Sequence, residues 1–305
     1  MKLRFLSPVA GGSFLRFSLK ANKILEDAAR LFSKSSEETI FHRAYIGESL
    51  SLVYLPLFVD DGSLFDAVLN RRISEFVPGT IEKSVNRNPN FSLKFLPTLC
   101  PQCGWNLKAE RDSVVLTCDN CDTAWEVVGG RFSPVNIITV RSEEGHGTAY
   151  LPFWRITAEA NGLKIRSFAD FIRLTNQPRI IDREWEELPM SFWAPAFKIR
   201  PKMFLNLLKQ FTISQKKFCY ENKIPKLNIY PVTLPRSEAL QSMKLTLAGS
   251  ALNRKRVFPV LPEISFKVKE TCLIYLPFTK GPHDMVQQQT GISINSNALA
   301  FGLKL

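Results

Sequence analysis

Residues 96–131 read LPTLCPQCGWNLKAERDSVVLTCDNCDTAWEVVGGR, with Cys100 and Cys103 in one CxxC, Cys118 and Cys121 in a second, and fourteen residues between the pairs. A tetrahedral ion needs four ligands that converge on one point. Within a CxxC the backbone curls so that both sulfurs face the same way, and two such knuckles joined by a short hairpin complete a four-cysteine shell. Gly104, directly after the second cysteine, suits a turn that needs positive φ. Ser113 to Thr117 reads as a strand, Lys108 to Asp112 as the turn before it, and Thr123 to Val128 as a closing strand ended by Gly129-Gly130. Trp105 and Trp125 each follow a knuckle and are expected to pack over the ribbon, which is too small to form a core alone.

Two other readings of the cysteines are weaker. A pair of disulfides needs an oxidising compartment. The N-terminal MKLRFLSPVAGGSFLRFSLK does not read as a signal peptide, because Ser7, Pro8, Gly11, Gly12 and Arg16 break its apolar run. A redox CxxC is usually single and set in a βαβ context. Four thiolates leave no position open for water, so the expected role is structural rather than catalytic, and zinc is the expected ion. Iron in a rubredoxin-like site is the alternative; Asp122 in place of glycine after the second knuckle, and the short loop between knuckles, favour zinc. The stretch resembles zinc-ribbon families such as the ribbons of general transcription factors and of the primosomal helicase. With its flanks LVYLPLF and AYLPFWRI it is also similar to a group of bacterial ribbon proteins that carry repeated Tyr-x-Pro-Phe segments and have no assigned activity. The ribbon resemblance covers only about residues 96–131, and it implies a metal without implying a function.

The chain of 305 residues is long enough to bury a sizeable core and to divide into more than one unit. No run of 18 apolar residues occurs, so no transmembrane helix is expected. The net charge of +12 is unevenly placed. From Phe197 to Arg256 there are thirteen basic side chains and two acidic ones, a local net of +11. The ribbon has three basic residues against five acidic, which argues against a direct grip on phosphates. The excess elsewhere points to an acidic macromolecular partner, protein or nucleic acid, with an anionic membrane surface as a further option. The candidate contact residues are Lys202, Lys209, Lys216, Lys217, Arg254, Lys255 and Arg256.

A second pattern recurs along the chain: Val53-Tyr54-Leu55-Pro56-Leu57-Phe58, Ala149-Tyr150-Leu151-Pro152-Phe153-Trp154 and Ile274-Tyr275-Leu276-Pro277-Phe278, with looser relatives at 192–197 and 229–232. Each strict copy reads as a strand followed by a polar turn. Proline lacks a ladder donor, so these strands are expected at sheet edges or at bulges. The recurrence suggests duplicated β-rich modules. Helices are expected over Ala21–Phe32, Phe168–Leu174, Pro201–Phe218 and Ser237–Leu247. In the third, Phe204, Leu207, Leu208, Phe211 and Phe218 form an apolar face, and Lys202, Lys209 and Lys216 recur every seven residues on another. Residues 1–20 read as one or two edge strands, and Thr290–Ile294 with Ala298–Leu303 as closing strands.

The sequence holds no phosphate-binding loop, GxGxxG, HExxH or GxSxG, and its only histidines are His42, His146 and His283. His146 beside Glu143 and Glu144, and His283 beside Asp284, are the local acid–base arrangements; the first reads as a solvated loop and the second as a turn. No catalytic residue is assigned. The expected fold class is α+β, with small β-rich modules, a few packed helices and an inserted four-cysteine ribbon. The expected units are 1–95, an N-terminal α+β module; 96–131, the ribbon; 132–260, a central module with the basic helix 201–218; and 261–305, a C-terminal β segment packed on the modules. The functional expectation is a cytoplasmic, non-enzymatic binding or adaptor protein that uses its 197–256 surface. An enzyme with a site between modules and a structural subunit of a larger complex are the alternatives.

Overall fold

The computed structural model describes residues 21–32, 40–48, 53–79, 95–142, 147–226 and 228–304. The expected strands in residues 1–20, and His146, lie outside them. The chain divides into two units, residues 1–37 with 48–95 and residues 38–47 with 96–305. The described elements are helices and mainly antiparallel sheets, an α+β fold.

The first unit contains helix α1 (Ala21–Phe32) and a three-stranded meander of β1 (Leu57–Asp60), β2 (Ser63–Asp66) and β3 (Arg71–Ser74). Asp61 and Gly62 both take positive φ, the backbone that a two-residue hairpin requires. The first Tyr-Leu-Pro copy precedes β1, and the Pro56 carbonyl accepts from Ala67 N–H at 3.0 Å.

In the second unit, β4 (Val115–Cys118), β5 (Thr123–Val128) and β6 (Arg131–Val135) form the ribbon sheet. Gly129 and Gly130 both have positive φ; they end β5 as expected and turn the chain into a further strand, β6.

A seven-stranded sheet follows, built of β7 (Ile137–Val140), β8 (Thr148–Asn161), β9 (Ser191–Pro195), β10 (Tyr220–Glu221), β11 (Ser265–Lys280), β12 (Asp284–Gln287) and β13 (Ile292–Asn295). Its centre is the long antiparallel pair β8–β11, which runs from Ser265↔Asn161 to Thr279↔Thr148. The second and third Tyr-Leu-Pro copies are neighbours in that pair, related about Leu151↔Leu276, with Tyr275 opposite Pro152 and Pro277 opposite Tyr150. They share one sheet instead of marking separate modules.

These prolines are not at sheet edges, and the one irregularity of β11 against β8 falls at Val268/Glu270 instead. Both missing donors are absorbed at ladder gaps. Pro277 faces the side where β7 pairs with Leu273–Tyr275 and β12 with Thr279–Lys280, and it falls between the two. Pro152 accepts from Ala196 N–H at 3.0 Å. The Ala196 carbonyl, which a donor at 152 would otherwise claim, accepts instead from Thr233 and Leu234 N–H.

Helices cover this sheet. Helix α2 (Phe168–Thr175) opens with a reciprocal capping box between Ser167 and Asp170, and α3 (Glu184–Glu187) packs beside it. Helix α4 (Pro201–Ser214) starts with proline in its first turn. It stops four residues short of the expected Phe218, because Gln215 turns left-handed at φ 40° and its amide bonds the Ser191 carbonyl. Helix α5 (Arg236–Ser250) packs on α4 and β9, and the short α6 (Arg254–Val257) follows. The 298–303 segment is a helix, not a strand. Asn295 caps α7 (Ser296–Gly302) by accepting from Asn297 and Ala298 N–H. The core is rich in aromatic rings: Phe153 sits 4.5 Å from Phe211, 5.6 Å from Phe197 and 6.2 Å from Phe278, centroid to centroid.

Candidate metal centre

The first knuckle is closed by two backbone bonds, Gly104 N–H to the Cys100 carbonyl at 2.8 Å and Cys100 N–H to the Trp105 carbonyl at 2.7 Å. Gly104 takes φ 74°, as the turn demands. The second knuckle leaves the end of β4 at Cys118 and crosses Cys121 to enter β5. There Asp122 takes φ 52°, the counterpart of Gly104, a conformation aspartate tolerates better than most residues.

The two knuckles bring all four sulfurs within 4.8 Å of one another. Cys100 and Cys121 lie 3.6 Å apart and Cys103 and Cys118 3.5 Å apart. A disulfide needs about 2.05 Å. Four sulfurs at about 2.3 Å from a tetrahedral ion lie about 3.8 Å from one another. The four-cysteine group therefore fits a metal ion and not a pair of disulfides. Cys118 and Cys100 are buried with Leu107 and Leu116, while Cys103 is exposed.

The surroundings favour the thiolate at Cys100 and Cys103 and oppose it at Cys121. Burial alone would push the Cys100 thiol up, but the Thr123 hydroxyl and the N–H groups of Cys103 and Gln102 outweigh it and bring it down to about 6. Asn120 and the Trp105 N–H lower Cys103. Cys121 moves the other way, to about 12: Thr123 pulls it down, but burial and the three neighbouring sulfurs prevail. Crowded sulfurs resist a further negative charge unless a cation neutralises them, which is what a bound metal supplies.

Thr123 is a member of this site that the sequence reading missed. Its Oγ1 accepts from Trp125 Nε1 at 3.0 Å, which leaves its one proton to the Cys121 sulfur at 3.1 Å and the Cys100 sulfur at 3.5 Å. Trp125 packs against the cysteine cluster as expected, whereas Trp105 is exposed and does not cover the ribbon.

A second omission is Glu126. It is 2 % exposed, and its carboxylate accepts from the Arg236 N–H at 2.7 Å and lies 3.3 Å from the Arg236 Nε. Arg236 is the first residue of α5, so a ribbon carboxylate sits at a helix N-terminus. Val114 N–H adds a bond to the Val232 carbonyl at 2.8 Å. The ribbon is thus held to the large sheet's unit at two points. Alternation in β5, which turns Ala124 and Glu126 to the side opposite Trp125, was the available signal.

The basic candidates scatter more than a helical stripe. Lys202 and Lys209 are on α4, but Lys216 and Lys217 lie beyond its end, and Lys217 pairs with Glu184 at 2.5 Å. Arg254, Lys255 and Arg256 form an exposed turn on α6, with Arg254 5.9 Å from the Phe258 ring centroid. Among the described residues, none of Lys202, Lys209, Lys216, Arg254, Lys255 and Arg256 makes an ion pair. His283 is exposed on a turn. His42 is half-buried, and its Nε2 has no partner among the described residues. No described helix is long and apolar enough to cross a membrane. Comparison with protein-family models, curated proteins and solved structures finds no match to this chain.

Proposed function

We propose that this chain is a cytoplasmic zinc-ribbon adaptor that binds an acidic macromolecule through the basic surface of residues 197–256. Zinc would be held by Cys100, Cys103, Cys118 and Cys121. It would serve as a structural cross-link, because four thiolates fill a tetrahedral shell and leave no site for water. The observation that carries the binding reading is the local charge of +11 over residues 197–256, together with exposed Lys202, Lys216, Arg254, Lys255 and Arg256, which have no carboxylate partner among the described residues. Unpaired surface cations attract an anionic partner and raise its rate of encounter. The ribbon's own acidic residues argue that it props the fold rather than touching the anion.

The test is fluorescence anisotropy of purified protein with single-stranded and duplex oligonucleotides and with polyglutamate, across 50–300 mM salt. The reading predicts binding to at least one of these, with a steep loss as salt rises. The joint replacement of Lys202, Lys216, Arg254, Lys255 and Arg256 by glutamate should abolish it. Absence of binding to all three at low salt, or binding indifferent to charge reversal, overturns it.

A further inference from the structure

A cleft of about 860 Å³ is walled on one side by the ribbon from Leu107 to Asp122 and on the other by residues 224–226 and 228–232, with Tyr275 also lining it; none of the seven basic candidate contact residues lines it. That volume is in the range of a specific ligand site. Three independent features describe what would fit there.

The first is an open strand edge. Residues 116 and 118 and the Val114 carbonyl face β5, as the Val127 N–H to Val114 carbonyl bond shows, so Val115 and Thr117 face away from it; the Val114 N–H bonds the Val232 carbonyl on the opposite wall. Thr117 exchanges both backbone bonds with Lys108. Val115, the next residue on that edge, has no backbone partner among the described residues, and it lines the cleft. Across from it, the Asn228 carbonyl and Tyr230 N–H bond Tyr150, which turns the N–H and carbonyl of Ile229 away from β8. An extended chain lying between them finds an unused donor and acceptor on the ribbon side.

The second is Tyr275. The residue is 2 % exposed; its hydroxyl makes no hydrogen bond among the described residues and is not one of the side-chain atoms shut off from solvent, so it opens to the cleft that it lines. Burial pushes its ionisation up, and no hydrogen bond offsets the shift. A phenol hydroxyl that opens into a cleft and bonds nothing in its own chain can exchange water for a ligand's hydrogen bond.

The third is charge. Lys108 is engaged by Asp119, which leaves Glu110 and Asp122 against Lys226 on the cleft walls. A cage of four thiolates around a divalent ion, next to Asp119 and Asp122, adds two more negative charges. Phosphates are disfavoured there and a cationic side chain is welcome. Leu107, Val115, Ile229 and Val232 supply apolar wall on the same cleft.

We propose that this cleft binds an extended peptide with alternating apolar and basic side chains, which pairs with β4 through Val115, its one open position, and takes a hydrogen bond from, or gives one to, the Tyr275 hydroxyl. This site uses none of Lys202, Lys209, Lys216, Lys217, Arg254, Lys255 and Arg256, and it selects the opposite charge.

The experiment uses the full chain, ¹⁵N-labelled and with its metal content measured. It is titrated with the blocked pentapeptide Val-Lys-Val-Lys-Val and with the same peptide carrying glutamate for lysine. The lysine peptide should shift the amide signals of Val115 and Ile229, and the glutamate peptide should not. Tyr275→Phe should fold with undiminished stability, because the hydroxyl it removes has no partner within the chain, and should weaken the lysine peptide by about fivefold, the loss of one hydrogen bond. Glu110→Lys with Asp122→Lys should weaken it further. No shift at Val115 and Ile229 at millimolar lysine peptide, or equal binding of the glutamate peptide, overturns the proposal. A Tyr275→Phe protein that fails to fold would also overturn it, because the hydroxyl would then be serving the chain itself. Loss of oligonucleotide or polyglutamate binding in the glutamate-substituted protein bears only on the basic surface, so the two readings fail separately.

Discussion

Replacing Glu126 by alanine separates the ribbon's own integrity from its attachment. The carboxylate is 2 % exposed and accepts from the Arg236 backbone N–H at 2.7 Å while its other oxygen faces Arg236 Nε at 3.3 Å. A charge-assisted bond to a part-buried N–H contributes about 1.5–3 kcal/mol. The favourable end of the α5 dipole adds about 0.5 kcal/mol. The guanidinium is 30 % exposed, so its share is discounted to about 0.5–1 kcal/mol. Glu126→Ala should therefore cost about 3 kcal/mol. Arg236→Ala keeps the backbone N–H and the helix end, and should cost only about 1 kcal/mol. The assay is urea denaturation of both variants, paired with hydrogen exchange at the Val114 and Arg236 amides. In Glu126→Ala, exchange at both amides should quicken, while the four thiols stay as slow to react with a thiol reagent as in the parent protein. If Arg236→Ala costs as much as Glu126→Ala, the ion pair and not the helix-end hydrogen bond carries the attachment, and the reasoning fails.

Other outcomes follow from the same structure. Cys118→Ser should lose the metal and leave residues 99–128 open to proteolysis, because a hydroxyl is a poor ligand for a thiolate site; metal content and a limited digest check both. Ser167→Ala should cost about 1 kcal/mol in thermal or chemical unfolding, the loss of an N-cap. Burial would raise Asp170, but the N–H groups of Arg166 and Ser167 prevail and hold its carboxyl below the ordinary 3.8. A depressed folded value means Asp170 adds stability above that pH and gives it up as pH falls through the lower value; Asp170→Asn should flatten this part of the acid-unfolding curve. Gly302→Ala should cost about 1–3 kcal/mol, because its added carbon would collide with the Lys198 carbonyl oxygen; unfolding of α7 followed by its amide exchange would show it.

The cysteine spacing carried the ribbon into view because ligand geometry is local: two CxxC pairs and a hairpin fix four sulfurs with no help from the rest of the chain. The same held for α1, α2 and the start of α4, where apolar periodicity and Pro201 act within a few turns. The end of α4 was misread because Phe218 remains buried after the helix stops, so the apolar spacing outlasted the element. Residues 298–303 were misread because Asn295 was not recognised as a cap. The prolines were misplaced for a deeper reason. A missing donor forbids a ladder bond, but it does not say whether the gap lies at a sheet edge or where one partner strand gives way to another, as at Pro277 between β7 and β12. Glu126 with Arg236 pairs residues 110 positions apart, and neither carries a local signature of the other.

The central claim is that Cys100, Cys103, Cys118 and Cys121 together hold one metal ion. Elemental analysis of the purified protein, run with native and denaturing mass spectrometry, tests it most directly. The account predicts one zinc per chain, lost on Cys118→Ser, and a denatured mass that shows all six cysteines reduced. A metal-free protein whose denatured mass is lower by the hydrogens of two disulfides would contradict it.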